Sequence, residues 1–237
     1  MFLAWGIRGY WPYPDTTAKR REWFSRQLVK TKPNVLCVQE IANQDSVNTF
    51  LATEKGFTRC AFLDSSDGQD NAIFATSSVE MEDIPDPKGF QHPAQAAYVW
   101  CRGFDATVVT VHLSWTDVGM REQEKELLRG VVADALRKDP DVIIAGDFNT
   151  TEQGIEELAQ AIGMLVMVPS GQDGVGTTHA GNRYDYFLMS RDLADEEAMT
   201  CRIETYAGND QEMAKQVSDH LPVIAWFRTQ EMFRDRE

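Results

Sequence analysis

Four short apolar runs in this chain adjoin side chains that can carry charge or bind a metal. Val35-Leu36-Cys37-Val38 leads to Glu40, and Val108-Val109-Thr110-Val111 leads to His112. Val142-Ile143-Ile144 is followed by Asp147 and Asn149, while Asp219-His220 stands immediately before Leu221-Pro222-Val223. Runs this short, bounded by polar residues, read as strands, and the first has the pattern of a strand buried on both faces. Such strands need cover on each side, which constrains the chain to a layered α/β structure. A lone carboxylate at a strand end is ordinarily a solvated residue. Repetition through one chain is what suggests a shared cleft, since ligands of α/β sheets commonly bind where strand ends meet loops.

Between these runs the apolar spacing changes. Trp23, Phe24 and Leu28 recur at helical spacing through about Thr31, behind Asp15 or Thr16 as a cap, and a second helix is expected from Asn43 to about Lys55. Leu127, Leu128, Val131, Val132, Ala135 and Leu136 mark the clearest amphipathic helix, between Asp117 and Lys138, and another covers Glu152 to Ile162. Strands are expected over 1–7, 35–38, 57–63, 72–76, 96–101, 106–113, 141–145, 184–189, 199–206 and 221–227. No internal repeat is visible. Helices and strands mix without strict βαβ alternation, which predicts an α/β fold of mixed β-sheets in a two-layer sandwich flanked by helices.

At 237 residues and without a low-complexity linker, the chain reads as one domain, 1–237. Its apolar runs are too short to cross a bilayer, and its first seven residues read as a strand, not a secretion leader, so a cytoplasmic location is expected. Cys37, Cys60, Cys101 and Cys201 form no CxxC pair, which favours reduced core thiols over structural zinc or a disulfide scaffold. A formal charge of −14 repels polyanions, so nucleic-acid binding needs a bound divalent cation or a confined basic patch. Hard carboxylate and carboxamide oxygens suit Mg²⁺ or Mn²⁺, whereas two histidines without cysteine partners suit tetrahedral zinc poorly. Mg²⁺ leaves positions to water and substrate phosphate, which points to phosphoryl chemistry; without a P-loop, NTP-driven transfer is disfavoured.

"VQE" at 38–40, "NAIFAT" at 71–76, "TVHLSW" at 110–115, "GDFNT" at 146–150, "YDYFLMS" at 184–190 and "SDHLPV" at 218–223 follow one another along the chain. In that order they resemble motifs of the endonuclease/exonuclease/phosphatase superfamily, the relatives of DNase I and exonuclease III. The resemblance implies the DNase I-like four-layer α/β sandwich and a set of roles. Glu40 is implied as the principal metal carboxylate, and Asp219 as a second group on the metal or its water shell. Asp147 is implied to orient or deprotonate the attacking water, and Asn149 to hold a phosphate oxygen. His220 matches a histidine that hydrogen-bonds a non-bridging phosphate oxygen, with Asp185 orienting it, and His112 matches one that serves the leaving oxygen. A carboxylate beside an imidazole fixes its tautomer and favours imidazolium near developing negative charge.

One departure falls at the first strand, where the family's usual Asn is replaced by Gly6, which has no side-chain ligand. Beyond it Arg8 is a candidate phosphate contact, and Tyr10 and Trp11 are candidate stacking residues for bases. His179 is a substrate-binding candidate from a loop near Asp185, whereas His92 reads as a surface residue. Lys19, Arg20, Arg21, Arg26, Lys30 and Lys32 read as a solvated helix face, and Asp64 to Asp70 as a turn. The function expected is a Mg²⁺-dependent (or Mn²⁺-dependent) phosphodiester hydrolase with nucleic acid, DNA above all, as substrate. A phosphatase or phosphodiesterase acting on a small-molecule or lipid-headgroup ester is the alternative, and a non-catalytic binding module a distant third.

Overall fold

In the computed structural model, which describes residues 1–6, 17–54, 56–65, 68–196 and 199–227, the apolar runs become central strands of two six-stranded sheets. The elements in chain order are β1 (Phe2–Gly6), α1 (Thr17–Thr31), β2 (Val35–Ile41), α2 (Gln44–Thr53), β3 (Phe57–Phe62), β4 (Asp70–Thr76), β5 (Glu80–Asp83), β6 (Gln95–Cys101) and β7 (Phe104–His112). There follow α3 (Val118–Leu136), β8 (Val142–Asp147), α4 (Glu152–Ile162), β9 (Leu165–Val166), β10 (Asp185–Met189), α5 (Arg191–Glu196), β11 (Met199–Ile203), α6 (Asn209–Val217) and β12 (Val223–Phe227). One sheet has the order β11-β12-β1-β2-β4-β3 and the other β5-β6-β7-β8-β10-β9. β1 and β2 pair in parallel, as do β7 and β8, while the other pairings are antiparallel. A parallel pair needs a crossover, and α1 and α3 supply it.

Three cores explain why the strands lack visible alternation. Val35 and Cys37 of β2, Val108 of β7 and Ile143 and Ala145 of β8 face the core between the sheets. Their neighbours Leu36 and Val38 face a second core with Trp23, Phe24, Phe50 and Val217, beneath α1, α2 and α6. Val109, Val111, Val142 and Ile144 face a third with Leu128, Val132, Ile155 and Leu158, beneath α3 and α4. Both faces of each central strand are therefore apolar, and burying one such side chain contributes about 1.5–3 kcal/mol. The result is helices, sheet, sheet, helices, the four-layer sandwich that the resemblance implied.

The capped helices start where side chains can serve their open N–H groups: Asn43, Asp117 and Thr151 accept from Ser46, Met120 and Gly154. Periodicity misses β5, β9, α5 and α6, which are short or mostly polar. The connectivity also repeats, although no sequence repeat is visible. Strand, crossover helix, parallel strand, helix and antiparallel pair occur as β1-α1-β2-α2-β3-β4 and again as β7-α3-β8-α4-β9-β10. Among the described residues no helix is long and apolar enough to cross a membrane.

Candidate functional site

Strand register carries the polar ends to one place. His112 at the end of β7 pairs with Asp147 at the end of β8. Asp147 in turn pairs with Asp185 at the start of β10. Three neighbouring strands thus set these side chains in one row. Side chains alternate across a strand, so each shares the parity of residues that face the core between the sheets, Val108, Ala145 and Phe187. Gly146 is required here: its φ is 138°, and a Cβ there would lie 2.1 Å from the Val111 carbonyl oxygen.

His220 enters from the other sheet, just ahead of β12. Its Nδ1 lies 2.8 Å from Asp185 Oδ2, its backbone N–H donates to Ser218 Oγ, and its carbonyl accepts from the Trp5 indole. Burial opposes charging of this imidazole, but the charge and hydrogen bond of Asp185, with Asp147 and Asp219, prevail and hold its pKa up to about 10. Asp147 Oδ1 accepts the Asn149 backbone N–H at 2.8 Å. Its Oδ2 faces two imidazoles, 3.7 Å from His220 Nε2 and 3.8 Å from His112 Nε2. These separations are too long for hydrogen bonds and leave Oδ2 open to a third group. Burial, reinforced by Asp185 and Glu40, raises the Asp147 carboxyl well above the ordinary range, against the opposing pull of His220 and the Asn149 N–H.

Two site residues sit in left-handed backbone that non-glycine residues rarely adopt, Glu40 with φ 64° and Asn149 with φ 47°. At Glu40 the pairing of β2 with β4 also slips between Val38 and Ile41. Strict alternation opposes Glu40 to Gln39, whose amide crosses to Thr110 in the other sheet at 2.9 Å; the irregularity frees Glu40 to line the cleft. At Asn149 the side-chain amide donates one N–H to the Leu113 carbonyl at 2.8 Å, which leaves its second N–H available. Strained backbone of this kind concentrates at functional sites.

A cleft of about 620 Å³ collects Glu40, His112, Asp147, Asn149, His179, Asp219 and His220, with Asp185 behind His220. His179 is held by its N–H on the Asp219 carbonyl, and burial and Lys215 lower its pKa. Arg8, Tyr10 and Trp11 lie outside the described residues. His92 corrects the sequence reading: it is buried, not on the surface, and its ring stacks on His112 at 4.7 Å. Glu124 had no sequence signal as a site residue, yet this fully buried carboxylate of α3 accepts the backbone N–H groups of Gln91 and Ser114 at 2.8 and 2.7 Å, one and two residues along the chain from His92 and His112. Trp115 also lines the cleft. Lys19, Arg26, Lys30 and Lys32 are exposed, as expected of a solvated face, whereas Arg20 and Arg21 are half-buried. Of the 64–70 stretch, 66 and 67 lie outside the described residues, while Asp70 is buried at the start of β4 and accepts the Ser65 N–H and hydroxyl.

Asp147, Asp185 and His220 each place a ligand atom within 4.8 Å of the others. Glu40 and Asp219 line the cleft without belonging to that cluster. The His220–Asp185 hydrogen bond competes with metal ligation inside the cluster, whereas Glu40, Asp147, Asp219 and Asn149 offer hard oxygens on the open side. Burial is the main cause of the raised Asp147 pKa, but the part that comes from the Asp185 and Glu40 charges is relieved by a cation, and that donor set fits Mg²⁺ or Mn²⁺.

Solved structures share this architecture. D. rerio TDP2 complexed with a single strand DNA product superposes with TM-score 0.72 at 18% identity, over 96% of this chain and 98% of that one. The human nocturnin catalytic domain with bound sulfate anion gives 0.70 at 16%, over 96% and 94%. The endonuclease domain of TRAS1, a telomere-specific non-LTR retrotransposon, gives 0.68 at 14%, over 97% and 98%. At these identities the likeness concerns the fold, and no curated protein sequence matches the chain. The family model for endonuclease/exonuclease/phosphatase proteins matches residues 10–220, and the chain belongs to that family.

Proposed function

We propose that this chain hydrolyses phosphodiester bonds of DNA with the help of Mg²⁺ or Mn²⁺. The observation that carries the reading is the row His112, Asp147, Asp185 across three strands, completed by His220 on Asp185. One structure superposed above, D. rerio TDP2, was solved with a single strand DNA product, which supports nucleic acid as the substrate class. Because the cleft draws on both sheets, 1–237 works as one catalytic domain.

The residues divide the work by their surroundings. Asp147 has one oxygen anchored and one open, and its raised pKa makes it a stronger base for taking a proton from water. His220 keeps a proton on each ring nitrogen below pH 10, so Nε2–H can donate to a non-bridging phosphate oxygen while Nδ1–H stays on Asp185. Asn149 presents its free N–H to a second phosphate oxygen. His112 serves the leaving oxygen from the far side of Asp147 Oδ2. Glu40, with Asp219 nearby, would hold the metal, which supplies Lewis-acid charge neutralisation when bound. That neutralisation also answers the −14 charge, which opposes a polyanionic substrate.

Supercoiled plasmid, linear duplex, single-stranded DNA, RNA and phosphomonoesters incubated with protein and Mg²⁺ or Mn²⁺ test the substrate class. Nicked or shortened DNA, abolished by EDTA, is expected. Release of inorganic phosphate from monoesters with plasmid intact overturns the nuclease reading and installs the phosphatase alternative.

A further inference from the structure

We propose that Trp115 is a nucleobase-stacking subsite at the mouth of the cleft, an inference that rests on the nuclease reading and names the substrate feature gripped beside the scissile phosphate. Trp115 is 66% exposed. The other described tryptophans have cover: Trp5 and Trp23 are buried, Trp100 stacks on Tyr98 and Trp226 lies under the Arg202 guanidinium. An indole open to water in a loose loop signifies little, but this loop is pinned on both sides. Ser114 donates its N–H to buried Glu124 at 2.7 Å, its carbonyl accepts from Arg121 at 2.9 Å, and Asp117 caps α3 through the Met120 N–H. The backbone is thus fixed while the ring is left uncovered beside His112 and Asn149.

Chemistry and position agree. An aromatic face accepts any base, and stacking adds affinity without positive charge, which suits an acidic protein. Leu113, two residues before Trp115, holds the Asn149 amide through its carbonyl at 2.8 Å. A base resting on the indole therefore places the adjoining phosphate in register with the group proposed to hold it.

The test compares wild type, Trp115→Ala and Trp115→Phe on a single-stranded oligonucleotide and on the same backbone with abasic tetrahydrofuran units in place of nucleosides. On the base-bearing strand Trp115→Ala raises KM about tenfold with kcat retained, and Trp115→Phe stays near wild type. On the abasic strand all three proteins behave alike. Equal loss by Trp115→Ala on both strands, or none on either, overturns the subsite while leaving the nuclease reading intact. A wild type that cuts neither strand but releases phosphate from monoesters overturns both. An unchanged melting temperature for Trp115→Ala, expected for an exposed ring, separates binding from folding.

Discussion

The two halves of the molecule share one connectivity and differ in chemistry. In β1-α1-β2-α2-β3-β4 the first strand ends in Gly6, the second passes into Glu40, and the last begins with Asp70. In β7-α3-β8-α4-β9-β10 the first strand ends in His112, the second in Asp147 with Asn149 beyond it, and the last begins with Asp185. Glu40, near the end of β2, and Asn149, just past β8, adopt the same left-handed backbone. Yet Asp70 is tied to Ser65 in its own loop, whereas Asp185 reaches across the sandwich to His220. Topology delivers polar strand ends to one rim twice; the particular residues decide which end carries the Asp185–His220 couple and which contributes the Glu40 carboxylate to the cleft.

The largest way to break this comparison is at Asp147. Asp147→Ala is expected to lower DNA cleavage about 10³-fold, measured as plasmid nicking. Asp147→Asn should be as inactive yet melt at a higher temperature than wild type. Its folded pKa is raised, so ionisation above the ordinary value near 3.8 costs stability, and a neutral amide removes that cost. Next, Asp185→Asn should reduce turnover about 10²-fold by releasing the His220 ring, with steady-state kinetics as the check. His220→Gln carries a pH signature. The folded imidazole titrates near 10 against 6.5 unfolded, so its stabilisation is fully present below pH 6.5 and is lost as pH rises through 10. Urea unfolding should therefore show a gap between His220→Gln and wild type that is widest below pH 6.5 and closes as pH rises through 10. The smallest effect belongs to Asp70→Asn, the topological counterpart of Asp185: cleavage within about twofold of wild type, with a modest stability loss from weakened turn contacts. Parity between Asp70→Asn and Asp185→Asn in kinetics would erase the distinction between the halves.

Much of the central architecture was legible because strands buried on both faces read as unbroken apolar runs and amphipathic helices obey a local period. Val142-Ile143-Ile144 and the Leu127 to Leu136 spacing found their elements directly. The edge strand Glu80–Asp83 was illegible because its acids are solvated and pair only with β6, and α6 is mostly polar. At the site, the motifs placed Glu40, His112, Asp147 and His220 on one cleft, but only register set His112, Asp147 and Asp185 in a row. Burial of His92 and the grip of Glu124 on two loops join residues 33 and 10 positions apart in sequence. No local pattern encodes such contacts, since Glu124 reads as one more acid on a charged helix.

Direct water attack is tested most closely by cleaving a DNA duplex in H₂¹⁸O under single-turnover conditions and weighing the product ends by mass spectrometry. Hydrolysis through Asp147 predicts ¹⁸O in the newly formed terminal phosphate with wild type and product about 10³-fold slower with Asp147→Ala. Unlabelled product, or labelled product from Asp147→Ala at the wild-type rate, would contradict it.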